Sequence, residues 1–252
     1  MKSTLHFLIA MTLLASLVSN AAEEKKDIFA KPQNLKVLPK EISSKELSDT
    51  MKGFALGLGV RCETCHVGEA GQPLDTFDFE SDEKTMKRKA RVMVQMLAEV
   101  NSNFVPQLNE IEDAKRVEVR CVTCHRGRAQ PKLIEDELDE QLADAGLEAA
   151  LARYAELREE FYGSHSYDFS EFTLPMYAQQ LAAREQLDAA IALLQLNAEN
   201  FPDSYYTQFA LAELNSAANN KAAALDAYTR AIELNPRATP FLEPRIAALK
   251  DK

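Results

Sequence analysis

Histidine is scarce in this chain, 4 in 252 residues, and tryptophan is absent. A histidine in fixed register with another rare residue is therefore informative. Excess positive charge is also lacking. Lys and Arg number 29 against 39 Asp and Glu, a net charge of −10. That balance argues against a nucleic-acid binder and for a soluble acidic protein. No cysteine precedes Cys62, so no lipid-modified N-terminal cysteine is expected. Beyond the N-terminus no stretch is apolar enough to span a bilayer, which takes roughly 20 residues. What remains can build a core: 46% of residues are hydrophobic and 27% charged. That is not the composition of a disordered chain. The length suits one large domain or two small ones.

The first 21 residues read as an export signal. Lys2 is a short positive region, and Leu5 to Val18 is a nearly unbroken apolar run of 14 residues. Ser19-Asn20-Ala21 fits a small-x-small cleavage site, which makes Ala22 the expected first mature residue. The competing reading is an uncleaved anchor, for which the run is short. Periplasmic localisation is expected, with no transmembrane span after cleavage.

Four cysteines in an exported chain first suggest two disulfides. Their placement suggests otherwise. They form two Cys-x-x-Cys pairs, each followed at once by histidine: Cys62-Glu63-Thr64-Cys65-His66 and Cys121-Val122-Thr123-Cys124-His125. This spacing attaches a c-type haem. The two thiols add across the two vinyl groups, and the next residue, an imidazole, serves as an axial ligand to iron. A structural zinc or a pair of redox disulfides would need the cysteines but not the histidines. A given position in this chain is histidine about one time in 60, so both slots by chance is roughly one in several thousand. The cofactor expectation is two covalently attached haems c, tethered by Cys62, Cys65, Cys121 and Cys124, with His66 and His125 as ligands.

The opposite iron face takes methionine, histidine or nothing. Ser43-Ser44-Lys45-Glu46 predicts a capping box, and the helix it starts runs to about Leu58 and stops at Gly59. Leu47, Met51, Phe54, Ala55 and Leu58 share one face. Met51 is thus a candidate distal ligand; ordinary core packing is the alternative. A second helix is predicted from Ser81 to Asn101, with Asp82 and Glu83 in its first turn. Met86, Ala90, Met93, Leu97 and Val100 form one stripe. Lys84, Lys87, Arg88 and Arg91 form the opposite, basic face, which reads as solvated or as a surface that steers an acidic partner. Met93 and Met96 are both candidates for the second iron.

The stretch from Glu46 to Gly127 resembles one half of the cytochrome subunit of photosynthetic reaction centres. The resemblance lies in Met51 eleven residues before Cys62 and in Gly59-Val60-Arg61-Cys62-Glu63-Thr64-Cys65-His66-Val67-Gly68. It continues through Ser81-Asp82-Glu83-Lys84, Ala90-Arg91-Val92-Met93-Val94-Gln95-Met96, Asn101-Ser102-Asn103-Phe104 and Val122-Thr123-Cys124-His125-Arg126-Gly127. Each unit of that family is a helix, a turn and a haem segment, and the helix usually donates methionine. The resemblance therefore implies Met51 on the first iron and Met93, rather than Met96, on the second. It covers about a third of the chain. The family's subunit carries four haems, one with two histidine ligands; this chain has two attachment segments. His165, the remaining histidine after export, reads as a surface-loop residue, with iron ligation as the alternative.

Pro131 opens a different region. From Pro131 to Phe161 there are ten acids against three bases. Residues 131–145 read as an acidic linker, and Leu147, Leu151, Tyr154 and Phe161 mark an amphipathic helix ending at Gly163. Pro202 and Pro236 then stand 34 residues apart, and Ala178, Ala190, Ile191 and Leu194 find apolar partners at the same offset in Ala212, Ala224, Leu225 and Tyr228. A 34-residue helix-turn-helix period with small residues at the crossings resembles the tetratricopeptide repeat. A capping helix is expected from Phe241 to Leu249.

The predicted architecture is all-α: a signal peptide (1–21), a diheme cytochrome domain (22–130), an acidic linker (131–145) and a tetratricopeptide-like domain (146–252). The predicted function is non-enzymatic one-electron transfer. Partners would be redox proteins, membrane-bound ones among them, met through the repeats or the haem edges. Two rivals are a small diheme peroxidase, which needs an open iron, and a haem-bearing scaffold or redox sensor.

Overall fold

In the computed structural model, residues 27–111 and 118–251 are described. The expected signal peptide lies outside the described residues. The described residues are predominantly helical and contain no strand, only one isolated antiparallel bridge between Val67 and Asp78. The all-α expectation holds.

The first helix, α1 (Ser44–Leu58), starts and stops where its sequence dictates. Ser43 accepts from the Glu46 amide while Glu46 reaches back to the Ser43 amide. Two of the donors that open every helix are thereby satisfied. At the other end Gly59 adopts φ +64, the left-handed conformation that closes a helix and favours glycine.

The second helix differs from its prediction at both ends. α2 spans Thr85–Glu99 with Lys84 as its N-cap. Asp82 stays outside it, because cations claim its carboxylate: Arg91 at 2.7 Å, Lys36 at 2.6 Å and Lys87 at 3.3 Å. At its far end the chain passes through a π-helical turn, Val100–Phe104, into α3 (Val105–Ile111). A π turn adds a residue to the helical register. Phe104 at the end of the turn and Leu108 and Ile111 after it are exposed.

The basic face of α2 is not simply solvated. Lys87 is buried, and its ammonium donates to the carbonyls of Phe79, Glu80 and Ser81 at 2.8, 3.2 and 2.6 Å. Arg91 ties Asp82 to the Asn34 carbonyl, which lies 3.1 Å from it. These cations bind the 28–38 segment and the 79–82 turn to α2, so they are drawn inward by backbone oxygens and one shared carboxylate.

After α4 (Cys121–His125), the expected acidic linker is instead a helix, α5 (Ile134–Ala145). Most of its acids face outward, but Glu137 is buried with Ile134 and Leu138, the last two packing in the core shared with α6 (Leu147–Phe161). Counting charge alone missed this buried stripe. Asp136 caps α5 by accepting from the Leu133 amide. The remaining chain forms α7 (Thr173–Ala183) with α8 (Leu187–Asn200), α9 (Tyr205–Ala217) with α10 (Lys221–Leu234), and a last helix, α11 (Thr239–Lys250). The tight crossings occur at Ala178, Ala190, Ala212, Ala224 and Ala231, all fully buried. Alanine side chains let helix axes approach closely there. One continuous apolar core runs from Ile134 to Leu249.

Candidate functional site

The two cysteine segments flank the C-terminal end of α1. The first follows it directly and folds as a single tight turn, with the His66 amide donating to the Cys62 carbonyl at 2.9 Å. The second, α4, is one α-helical turn. The Arg120 amide donates to the Thr123 hydroxyl at 3.0 Å, which opens that turn. Residues one, four and five of each segment fall on the same side of a helical turn, and in the first segment both thiols and the imidazole line one cavity. No disulfide joins any of the four cysteines.

Glycine brings the second segment against α1. A Cβ on Gly57 would lie 3.3 Å from the Cβ of Cys121, and one on Gly59 would lie 1.9 Å from the Gly127 carbonyl oxygen. The Gly127 amide donates to the Gly57 carbonyl at 3.0 Å. No larger residue fits at these crossings without moving backbone.

Beside the first segment lies a cavity of about 1220 Å³, open solvent at its mouth included. Its wall contains Cys62, Cys65 and His66, and the α1 stripe of Leu47, Met51, Phe54, Ala55 and Leu58. The segment Ile28–Leu38 and the α2 residues Lys87, Ala90, Arg91 and Val94 close it. Sequence reasoning missed the 28–38 segment, which has no periodicity, and Lys87, which pattern assigned to the surface. Phe79 packs edge-on to the His66 ring, centroids 4.9 Å apart. Gly68 allows the neighbouring Phe77 ring to lie against the turn, since a Cβ there would meet it at 2.4 Å.

Burial, then the charges of Lys87 and Arg91, push the His66 imidazole down to about 4. It is therefore neutral at neutral pH, as a metal ligand must be. Burial and the adjacent Cys62 raise the Cys65 thiol, and burial raises Cys121.

His125 is buried, and its Nδ1 lies 2.8 Å from the Arg128 carbonyl oxygen. A carbonyl only accepts, so Nδ1 carries the proton and Nε2 keeps its lone pair for a metal. A second cleft beside it is walled by Cys124, Pro131, Lys132, Leu133, Asp136 and Ser166. Asn101, in the π turn, clamps Val119, two residues before this segment: its amide nitrogen donates to the Val119 carbonyl at 2.7 Å and its oxygen accepts from the Val119 amide at 2.9 Å.

Met51 and the first segment thus share one cavity. Met93 (40% exposed) and Met96 (48%) line neither cavity. They are exposed, as are Phe104, Leu108 and Ile111 further along the same run of helix. The Asn101 clamp ties this run to the second segment. His165 is exposed in the loop after α6; its carbonyl faces Arg126 at 3.5 Å, and the Ser166 hydroxyl donates to the Arg126 carbonyl at 2.8 Å. The loop therefore lies on the second segment.

A neutral half-buried imidazole, a second imidazole of fixed tautomer, paired thiols and an apolar cradle together fit haem. The family model of the photosynthetic reaction centre cytochrome C subunit matches residues 3–188. The chain belongs to that family. Membership implies haem c, a cytochrome-type electron-transfer role and redox partner proteins. The match to the reaction-centre cytochrome family runs past the second segment, through α5, α6 and α7 and into the start of α8. No curated protein matches the chain. No helix among the described residues is long and apolar enough to cross a membrane.

Proposed function

We propose that this chain is a periplasmic diheme carrier of single electrons. Cys62 and Cys65 would tether one haem, and Cys121 and Cys124 the other. His66 and His125 would be the proximal ligands, with Met51 and Met93 opposite them. When bound, each haem supplies a one-electron ferric–ferrous couple, and methionine opposite histidine raises its potential. The observation that carries the reading is the pairing of Met51 with Cys62, Cys65 and His66 around one apolar cavity. For the second iron, the Asn101 clamp supports Met93 by tying its helix to the residues before Cys121. The apolar cradle would limit water near the first haem, and Met51 and Met93, as ligands, would leave no site for peroxide, which would separate the carrier from a diheme peroxidase.

Residues 1–21 would direct export and be removed before Ala22. The unit that ends near residue 130 would hold both haems. The hairpins from α5 onward would form a tetratricopeptide-like unit that docks redox partners. The 34-residue spacing supports that reading, as does a chain of ring contacts across α7, α9 and α11. Phe172 meets Tyr206 at 5.2 Å, and Phe209 meets Phe241 at 5.9 Å.

The test is a potentiometric titration of the full chain with optical and paramagnetic-resonance readout, beside haem quantitation. Two haems per chain and two low-spin, one-electron waves are expected. Met51→Ala should remove the methionine signature from one haem, and Met93→Ala from the other. A high-spin iron in the native protein, or spectra unmoved by both substitutions, would overturn the ligand assignment.

A further inference from the structure

The two histidines differ in what holds their second nitrogen. Nδ1 of His66 is buried with no hydrogen-bond partner. Nδ1 of His125 donates to the Arg128 carbonyl. The helical half grips the residue that carries this carbonyl. The Arg128 guanidinium donates to Glu137 at 2.9 Å and lies over the rings of Tyr167 and Phe161, 4.3 and 5.0 Å from their centroids. Glu137, 7% exposed, is also held by the Tyr167 hydroxyl at 2.8 Å and by Arg153 at 2.9 Å. α5, α6 and the loop after α6 each contribute to this ion cage.

Breaking such a cage leaves a buried charge without its partner, so its geometry is stiff. Burial pushes the Glu137 carboxyl up, but the hydrogen bonds from Tyr167 and Arg153 and the charges of Arg153 and Arg128 outweigh it and hold it low. The carboxylate is ionised at neutral pH, and the cage is intact there.

We infer that this cage is a positioning device through which the helical half sets the donor strength of His125 and hence the reduction potential of the second haem. The inference rests on the reading that Cys121, Cys124 and His125 carry a haem. A hydrogen bond from Nδ1 to a fixed carbonyl raises the basicity of the ligating nitrogen, and a more basic ligand favours ferric iron. If the Arg128 carbonyl is freed to drift, that bond weakens and the balance moves toward ferrous. The first haem has no such bond, so it serves as an internal reference.

The experiment uses the haem-loaded full chain and three variants. Glu137→Gln removes the charge that grips Arg128. Tyr167→Phe removes one hydroxyl, keeps the ring under Arg128 and carries the test if Glu137→Gln fails to fold. Asp139→Asn is the control: it lies on the same helix but holds Tyr177 and Arg184, at 2.5 and 2.9 Å. Spectroelectrochemistry gives both potentials, with Met51→Ala assigning the first haem, and nuclear magnetic resonance of the reduced protein follows the His125 Nδ1 proton. Glu137→Gln is expected to raise the second potential by about 59 mV, the equivalent of a tenfold change in a one-electron couple. Tyr167→Phe should shift it less in the same direction, and Asp139→Asn should leave it in place. The first potential should not move in any of them. An unmoved second potential, equal shifts of both haems, or the same shift in Asp139→Asn would overturn the inference. Fewer than two haems in the unmutated protein would defeat the underlying reading instead.

Discussion

Replacing Gly59 with alanine separates two costs that meet at one atom. Gly59 has φ +64, and its Cβ would come within 1.9 Å of the Gly127 oxygen and 2.8 Å of its carbonyl carbon. The left-handed conformation costs an alanine about 1–2 kcal/mol. Forcing a methyl into packed backbone adds about 1–3 kcal/mol. The expected loss is therefore about 2–5 kcal/mol. Gly71 supplies the comparison, because it has φ +82 but nothing within 4 Å of its Cβ. Gly71→Ala should suffer only the conformational cost. Gly59→Asn tolerates the left-handed region but keeps the clash, so it should recover only part of the loss. The assay is thermal unfolding of each variant, where 1 kcal/mol corresponds to about 2–4 °C in a domain of 150–250 residues. If Gly59→Ala is no costlier than Gly71→Ala, or Gly59→Asn restores full stability, the close approach of α1 and the second segment is refuted.

Lys87→Met should cost about 1–3 kcal/mol by leaving three carbonyls without their donor, and should raise the His66 pKa in the haem-free protein by removing a neighbouring cation; denaturant unfolding and resonance titration read the two effects. Asn101→Ala should release Val119 from its two-point clamp, lose about 1–3 kcal/mol and broaden the absorption of the second haem while sparing the first. Haem-free protein should lose stability as pH falls from about 6.5 through about 4. Folding holds His66 neutral down to about 4, while the unfolded chain takes up its proton near 6.5. The unfolded state therefore binds more protons between those values. Denaturant midpoints across that range test the slope, and His66→Asn should flatten it.

Much of the site was legible because its chemistry is written in adjacent residues. Two thiols and an imidazole at fixed spacing need no tertiary partner to be recognised. The same holds for the capping box at Ser43 and Glu46 and the glycine stop at Gly59, since both are satisfied within one turn. The 3.6-residue period put Met51 on the stripe with Leu47, Phe54 and Leu58 that now walls the cavity. The alanines of the 34-residue period marked helix crossings for a like reason: a repeated small residue signals repeated close contact.

The failures share a cause, which is that charge has no period. Lys87 and Arg91 read as a solvated face, yet three carbonyls and Asp82 draw them to the cavity wall. The acids of 131–145 read as a linker, although Ile134 and Leu138 bury one side of a helix. Sequence alone determined where the cysteines and histidines stand and which helix carries Met51. Only the tertiary structure decided that α1 lies against both segments, that His125 has its tautomer fixed and His66 does not, and that Arg128 ties the second segment to the helical half. The first and last depend on groups apart in the chain, joined by a carboxylate or the space left by a glycine, and the tautomer depends on where the folded chain sets the Arg128 carbonyl.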